Sequence, residues 1–194
     1  MLRLATAAAC VALATGFSPL LARRSVVKYD TAKAVAPEVV TKALEAAILA
    51  PNHFLSEPWR FYDCGAETKA ALCNLNSEKT KAFEGVPGWM VVTCVPDVDD
   101  AGQLTKLGLE DHAAVACAIQ NFMLSMADSG VGTKWMTGAL GSAPEAILET
   151  VGAAAPNERL MGAIWYGYPA KPLSEDAKAP PRKSGLEGTL KRLP

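Results

Sequence analysis

One short stretch, GWMVVTCVP at residues 88–96, constrains the fold more than any other part of the sequence. Its side chains are almost all apolar, and it is rich in β-branched residues. A strand with one face in water alternates apolar and polar residues, whereas a strand that is buried on both faces reads as a continuous apolar run. The stretch therefore predicts a strand that lies inside a sheet and is covered on both faces.

Helical and strand patterns alternate on both sides of this strand. PEVVTKALEAAILA has apolar residues at helical spacing after Pro37, and a longer helical pattern closes at Gly130. The sequence predicts these elements in chain order: a helix over 37–50, a strand over 59–64, a helix from 66 to at least Leu75, the strand over 88–96, a helix over 108–130, a short strand or loop over 132–138, a helix over 143–153, a strand over 158–170 and an extended tail over 180–194. Because no internal repeat or long linker is present, we expect one domain of the α+β or mixed α/β class.

Composition excludes several classes of protein. The chain has 194 residues, 50% of them hydrophobic, which is enough for one sizeable core. Its formal net charge of −1 provides no basic field for binding nucleic acid. The 5 cysteines are odd in number and form no CxxC pair, so we expect reduced thiols rather than a zinc site or a disulfide framework. Since His53 and His112 are the only histidines, a histidine-rich metal centre is excluded as well.

The first 21 residues differ in character from the rest of the chain. Arg3 precedes an Ala-rich apolar run over residues 4–14, and the first acidic residue is Asp30. The run is too short to span a bilayer but is typical of a cleavable targeting sequence. We therefore predict a targeting peptide over 1–21, a folded domain over 22–194, a location in a plastid or mitochondrion, and no stable membrane span. An ordinary first helix that packs on the domain is the alternative.

Two arginines and a serine stand in the stretch ARRSVVKYD, just before the first amphipathic helix of the predicted domain. A guanidinium group holds a phosphate through two parallel hydrogen bonds, and a hydroxyl adds another donor. The sequence has neither a GxGxxG motif after a strand nor a GxxxxGK[ST] motif, so Rossmann-type and P-loop sites lack their phosphate cradle. A bound nucleotide would need side chains such as Arg23, Arg24 and Ser25 for its phosphate. An Arg-Arg pair is also common at processing sites and on surfaces.

The loop APNHFLSEPWRF, which follows the first helix of the predicted domain, combines His, Glu, Trp and Arg. Such a mixture in a short loop on a rigid scaffold indicates ligand binding. The loop also stands in an ordered set with RRSVVKY before it and with LEDHAAVACAIQNFMLSMADSGVGTKWMTG, LMGAIWYGYPA and PRKSGLEG after it. Taken together, these motifs resemble the nitroreductase family over residues 22–190, and in particular its short, minimal members with a His in the second motif.

The resemblance implies a fold, an assembly and an activity. The expected fold is a three-layer α/β/α arrangement of the α+β class, with a mainly antiparallel central sheet flanked by helices. Two subunits would form a homodimer with one FMN at each end of the interface. NAD(P)H would reduce the flavin, and an electron-poor acceptor such as a nitroaromatic or a quinone would then be reduced in the same pocket, which gives ping-pong kinetics. The alternatives are a flavin-storage or flavin-degrading relative with little NAD(P)H turnover and a scaffold that has kept the fold without the cofactor.

The resemblance also implies which residues bind FMN. They lie in the first motif, the loop after the first helix, the segment after the longest helix and the tail: Arg23, Arg24, Ser25, Asn52, His53, Trp135, Thr137, Gly138 and Arg182. The family often has a second arginine at the position of Val27, so the chain departs from the pattern there. No catalytic side chain and no metal are expected. His53 could instead cap a helix end, and Glu110 and Asp111 read as charges that the helix dipole favours near an N-terminus.

Overall fold

The computed structural model describes residues 18–137, 140–176 and 179–193. Its helices are α1 (Pro19–Ala22), α2 (Pro37–Ala47), α3 (Ala66–Asn74), α4 (Thr80–Glu84), α5 (Lys106–Asp128) and α6 (Pro144–Val151). Its strands are β1 (Trp59–Asp63), β2 (Gly88–Cys94), β3 (Gly132–Met136) and β4 (Arg159–Gly167), and a 3₁₀ turn covers His53–Leu55. The predicted order of elements is confirmed. The helix that begins at residue 66 ends at Asn74, and α4 follows it as a separate short helix.

The four strands form one antiparallel sheet in the order β1-β2-β4-β3. The pairing of β2 with β4 shifts by one residue between Val92 and Thr93, which leaves a bulge in β4 at Met161. A bulge bends the strand that carries it and re-aims the neighbouring side chains. The antiparallel sheet confirms the predicted fold class.

Helices cover both faces of the sheet, so the domain has three layers. One face packs against α2 and α5 in a core that includes Val40, Ala43, Met90, Val92, Ile119, Phe122 and Ile164. The other face packs against α3, α4 and α6 in a core that includes Leu72, Phe83, Trp89, Val91, Ile147 and Trp165. All seven residues of β2 are buried, as the continuous apolar run predicts. Side chains of β2 alternate between the two cores, which is the period-2 geometry of a strand.

The longest helix, α5, packs against the sheet and exposes part of its opposite side to solvent. Its N-cap is Thr105, whose hydroxyl accepts a hydrogen bond from the amide of Gly108 at 3.1 Å. Leu109, Ala113 and Cys117 are exposed on successive turns, and Leu109 is 61% exposed. These three residues are referred to below as the α5 stripe.

The chain enters the described part through α1, in which Ala22 is fully buried. Residues 1–17 of the predicted targeting peptide lie outside the described residues, so the peptide stays a prediction. Over the part of the chain that the structure covers, no helix is both long enough and apolar enough to cross a bilayer.

Candidate functional site

A basic cavity lies where the chain leaves α1. Arg23, Arg24 and Ser25 from the first motif and Arg182 from the tail line it, together with Leu20, Leu21, Ala179 and Pro180. Its volume is about 480 Å³. The structure thus brings together four of the residues predicted to bind the phosphate end of a cofactor, although Arg182 is 157 or more positions away from the others in the sequence.

Backbone contacts hold this segment in place. One nitrogen of Arg24, Nη1, donates to the carbonyls of Leu21 at 2.5 Å and Arg23 at 2.8 Å, so this guanidinium also closes the C-terminal end of α1. The next residues run beside β3, because Ser25 forms a bridge with Thr133 and the amide of Val26 donates to the Thr133 carbonyl at 3.0 Å. Val26 is buried, whereas Val27 is 62% exposed. The position where the family often has arginine is therefore open to solvent in this chain.

The loop between α2 and β1 is held together by its own polar groups. Nδ2 of Asn52 donates to the carbonyl of Ala50 at 3.2 Å, and its Oδ1 accepts from the amide of Glu57 at 3.1 Å. Nη1 of Arg60 donates to the carbonyls of Glu57 at 3.0 Å and Trp59 at 2.7 Å. Asn52, predicted to bind the cofactor, thus uses both ends of its amide to shape the loop. Trp59 is buried in the core, as a packing residue would be.

The backbone of this loop is strained. Phe54, Leu55 and Glu57 have φ angles of 52°, 54° and 43°. Left-handed conformations cost about 1 kcal/mol or more for each residue other than glycine, and they persist only where the surrounding structure enforces them. Such strain often marks functional sites.

His53 stands at the start of the strained residues and has an acidic partner. Its Nδ1 lies 2.5 Å from Oε2 of Glu110, and since a carboxylate only accepts, Nδ1–H is the donor. The His53 ring also stacks on Phe54, with centroids 4.0 Å apart and planes 15° apart. Lys106 approaches the other oxygen of Glu110 at 3.9 Å. Glu110, expected from the sequence as a helix N-terminal charge, therefore also orients His53.

A buried carboxylate of α5 anchors the same loop. Asp111 is 2% exposed and accepts hydrogen bonds from Oγ of Ser56 at 2.7 Å and from the amide of Asp97 at 2.9 Å. It joins the loop to α5 and to the segment before α5. The next residue, His112, has its Nδ1 2.7 Å from the carbonyl of Gly108, so that His112 is satisfied within its own helix.

The end of β3 carries the remaining predicted residues. Nε1 of Trp135 donates to the carbonyl of Met161, the bulged residue of β4, at 2.9 Å. The bulge depends on Gly162, whose φ is +131° and at which a Cβ would lie 2.5 Å from the carbonyl oxygen of Met136. Thr137 is exposed just after the strand, and Gly138 lies outside the described residues.

Two groups of predicted residues lie at opposite corners of the sheet, while Trp135 and Thr137 lie at the end of β3. Ser25 lies outside β3 next to Thr133, which pairs with Tyr166 near the end of β4. The His53 loop leads into β1 at Trp59, and Trp59 is aligned through Cys94 with Arg159 at the start of β4. Strands are about 4.8 Å apart and rise about 3.3 Å per residue, so the two corners are roughly 30 Å apart. The structure does not bring the two groups together within one chain.

Sequence reasoning missed three contributors to these groups. Gly162 had a usable signal, because an isolated glycine inside a strand pattern suggests a bulge. Phe54 and Glu110 had none, since neither stands in a periodic pattern that marks it and the partner of Glu110, His53, is 57 positions away in sequence.

Comparisons with known proteins agree with this fold. The model of the nitroreductase family matches residues 20–168. The chain is 32% identical over 164 residues to the "Putative NAD(P)H nitroreductase YfhC" of Bacillus subtilis (strain 168), covering 76% of this chain and 80% of that protein. The structure of a nitroreductase-like family protein from Bacillus cereus is 26% identical and superposes with a TM-score of 0.71, covering 90% of this chain and 94% of that one.

A protein from Desulfovibrio desulfuricans, solved in complex with FMN, has the same fold, with a TM-score of 0.70 at 23% identity over 91% of this chain and 95% of that one. The ordered motifs, the three-layer antiparallel architecture and these matches agree. The chain belongs to the nitroreductase family.

Proposed function

We propose that the protein is an FMN-dependent oxidoreductase that uses NAD(P)H to reduce electron-poor acceptors such as nitroaromatics or quinones. The observation that carries the proposal is the basic cavity, in which two separate parts of the chain converge. Family membership and the FMN complex of the Desulfovibrio desulfuricans relative support the choice of cofactor. The name of the Bacillus subtilis relative supports NAD(P)H as electron donor.

The donor set of the basic cavity fits the phosphate end of FMN. Arg23, Arg24 and Arg182 contribute positive charge and fixed N–H donors, and Ser25 adds a hydroxyl. Guanidinium groups match phosphate oxygens in geometry and in charge. Pro180 lines the same cavity, as do Leu20 and Leu21 as long as the predicted targeting peptide is attached.

A homodimer would complete the site. The basic cavity and the His53 loop are roughly 30 Å apart in one chain by strand spacing and rise, which is more than one FMN molecule spans. A second subunit could supply its His53 loop next to the basic cavity of the first. The α5 stripe favours this assembly, because apolar side chains exposed on successive turns of a long helix are typical of a protein interface.

In this site the protein would position its ligands and exclude competing reactions. Bound FMN would supply hydride and electron transfer between NAD(P)H and the acceptor. Trp135 is fixed by its bond to Met161 and would form a rigid wall near the ring system. His53, held by Glu110, would present its other nitrogen, Nε2, towards the ligand. A single open site would take donor and acceptor in turn, so double-reciprocal plots should give parallel lines.

The direct test is anaerobic titration of the FMN-loaded protein. NADH or NADPH should bleach the flavin absorbance, and a quinone should restore it. If the protein takes up no FMN, the proposal is wrong. If FMN binds and neither nucleotide bleaches it, the protein is instead a flavin-storage or flavin-degrading relative. Val27, which replaces an arginine of the family pattern, is the observation that favours this second function.

The basic cavity itself is tested with Arg23→Ala. A hydrogen bond to a charged group contributes about 1.5–3 kcal/mol, so FMN affinity should fall at least about tenfold. Lys28→Ala is the matched control, because Lys28 is a nearby cation that lines a different, largely apolar cavity. Arg24 is a poorer probe, since it also holds the end of α1. Unchanged FMN affinity in a folded Arg23→Ala variant would contradict the assignment.

We also propose that residues 1–21 direct the protein to a plastid or mitochondrion. Support comes from Arg3, the Ala-rich run and the lack of acidic residues before Asp30. A fluorescent protein fused to residues 1–21 should enter one of these organelles, whereas a fusion to residues 22–42 should not. A cytosolic signal from the first fusion would refute the targeting role.

A further inference from the structure

Part of the loop between α2 and β1 is not explained by packing within the chain. Phe54 and Leu55 have φ angles of 52° and 54°, a region that large L-residues rarely adopt. Their apolar side chains are nevertheless 83% and 79% exposed. Burial within this chain therefore does not offset the strain, and contact with a ligand or partner is the expected reason for the geometry.

Hydrogen bonds hold the backbone of the loop in place in spite of this exposure. Asn52 bridges its two ends, Ser56 is tied to the buried Asp111, and Arg60 holds the carbonyl of Glu57. The amide of Ser56 also donates to the carbonyl of His53 at 3.1 Å. A side chain held out by such a frame loses little freedom when it binds, which favours affinity.

The ring of Phe54 has a defined orientation. Glu110 fixes His53 through Nδ1, and the His53 ring stacks nearly parallel to Phe54 at 4.0 Å. One face of the Phe54 ring therefore lies against His53, and the high exposure leaves its other face open. Leu55, the neighbouring exposed residue, offers apolar surface but no flat face.

We propose that Phe54 is a specificity-determining residue that stacks on planar aromatic electron acceptors. The inference rests on the proposed function, which places His53 beside the flavin, and it adds a residue that the family motifs do not assign. Aromatic rings favour offset or edge contacts with centroids about 4.5–7 Å apart, and such pairs contribute beyond the area that they bury. An acceptor without a flat ring gains nothing from this surface.

The test compares two acceptors on the FMN-loaded protein: 2-methyl-1,4-naphthoquinone, which is planar and aromatic, and ferricyanide, which is neither. Equilibrium titration of the oxidised protein gives the dissociation constant of the quinone without turnover, and kcat/KM is measured for both acceptors. Phe54→Ala should weaken quinone binding about three- to tenfold and should lower kcat/KM for the quinone by a larger factor than kcat/KM for ferricyanide. Phe54→Trp should keep the binding of the quinone. Leu55→Ala, which removes a neighbouring exposed apolar side chain that has no ring, is the matched control and should keep the wild-type preference for the quinone over ferricyanide.

Each other outcome overturns the inference in a distinguishable way. Equal quinone binding by wild type and Phe54→Ala removes the stacking role. Equal losses for both acceptors mean that the substitution damages the flavin site in general. Dissociation of Phe54→Ala into monomers on sedimentation makes Phe54 an interface residue. If the wild type takes up no FMN, the proposed function fails and this inference fails with it. If FMN binds without NAD(P)H turnover, the quinone titration still tests the stacking role of Phe54.

Discussion

Removal of the Asp111 carboxylate should destabilise the protein and release the His53 loop. The side chain is 2% exposed and accepts two hydrogen bonds, from Ser56 at 2.7 Å and from the Asp97 amide at 2.9 Å. Hydrogen bonds to a charged group contribute about 1.5–3 kcal/mol each. Ser56 and Asp97 are themselves exposed, so water can partly replace the lost acceptor and the low end applies. Asp111→Ala should therefore lower the free energy of unfolding by about 3 kcal/mol.

Two further variants separate the hydrogen bonds from the loss of side-chain volume. In Asp111→Asn, Oδ1 can still accept from the Asp97 amide while Nδ2 donates to the Ser56 oxygen, so only the charge is lost and the cost should be about 1 kcal/mol. Ser56→Ala should cost about 1.5 kcal/mol in the wild type and little in Asp111→Ala, because the bond is already absent there.

Urea unfolding followed by circular dichroism, at one fixed protein concentration, measures these differences. The slope against urea should stay constant across the series, since the variants change contacts and not the surface exposed on unfolding. The reasoning fails if Asp111→Ala costs less than about 1 kcal/mol, or if Asn is as damaging as Ala at this position.

Three other predictions concern stability in alkali, assembly and the bulge of β4. Burial raises the pKa of the Cys94 thiol to about 12 from 9.0, so above pH 9.0 the folded state keeps a proton that the unfolded state releases. The free energy of unfolding measured in urea should therefore fall as the pH rises above 9.0, and a value that does not change with pH would contradict this. Ala113→Glu in the α5 stripe should convert the proposed dimer into monomers with weakened FMN binding, as measured by sedimentation and titration. Ala71→Glu, on the exposed side of α3, should leave the proposed dimer intact. Gly162→Ala should cost about 1–3 kcal/mol because of its φ of +131°, whereas Gly85→Ala, with open space at its Cβ, should be nearly neutral in the same urea assay.

The fold was predictable wherever the signal was local. The apolar run of β2 required cover on both faces, and both faces are covered. Gly130 ended the α5 pattern and has a φ of +73° just after the helix. The break between α3 and α4 was not evident from the sequence, and one of the contacts at this turn is distant: Nδ2 of Asn76 donates to the carbonyl of Leu140 at 2.8 Å. A residue whose partner is 64 positions away leaves no periodic signal.

The same distinction holds for the site. Arg23, Arg24 and Ser25 are adjacent in sequence, so their shared chemistry could be recognised as a motif and the structure places them around one cavity. Asn52 belonged to a recognisable motif, yet its amide is used within the loop, which a motif alone does not reveal. The pairing of His53 with Glu110 joins residues 57 positions apart and depends on how the loop packs against the first turns of α5.

The two corners of the sheet are built in ways that suit the proposed dimer. The basic cavity combines the segment after α1 with the tail, and the His53 loop is closed by Asn52, Ser56 and Arg60 before any partner arrives. Association costs less when the contacting segments are already ordered, because less conformational freedom is lost on binding. The backbone strain at Phe54 does not add to the cost of association, because it is already present in the single chain. A protomer that carries both half-sites in finished form can therefore gain two complete sites from one association step.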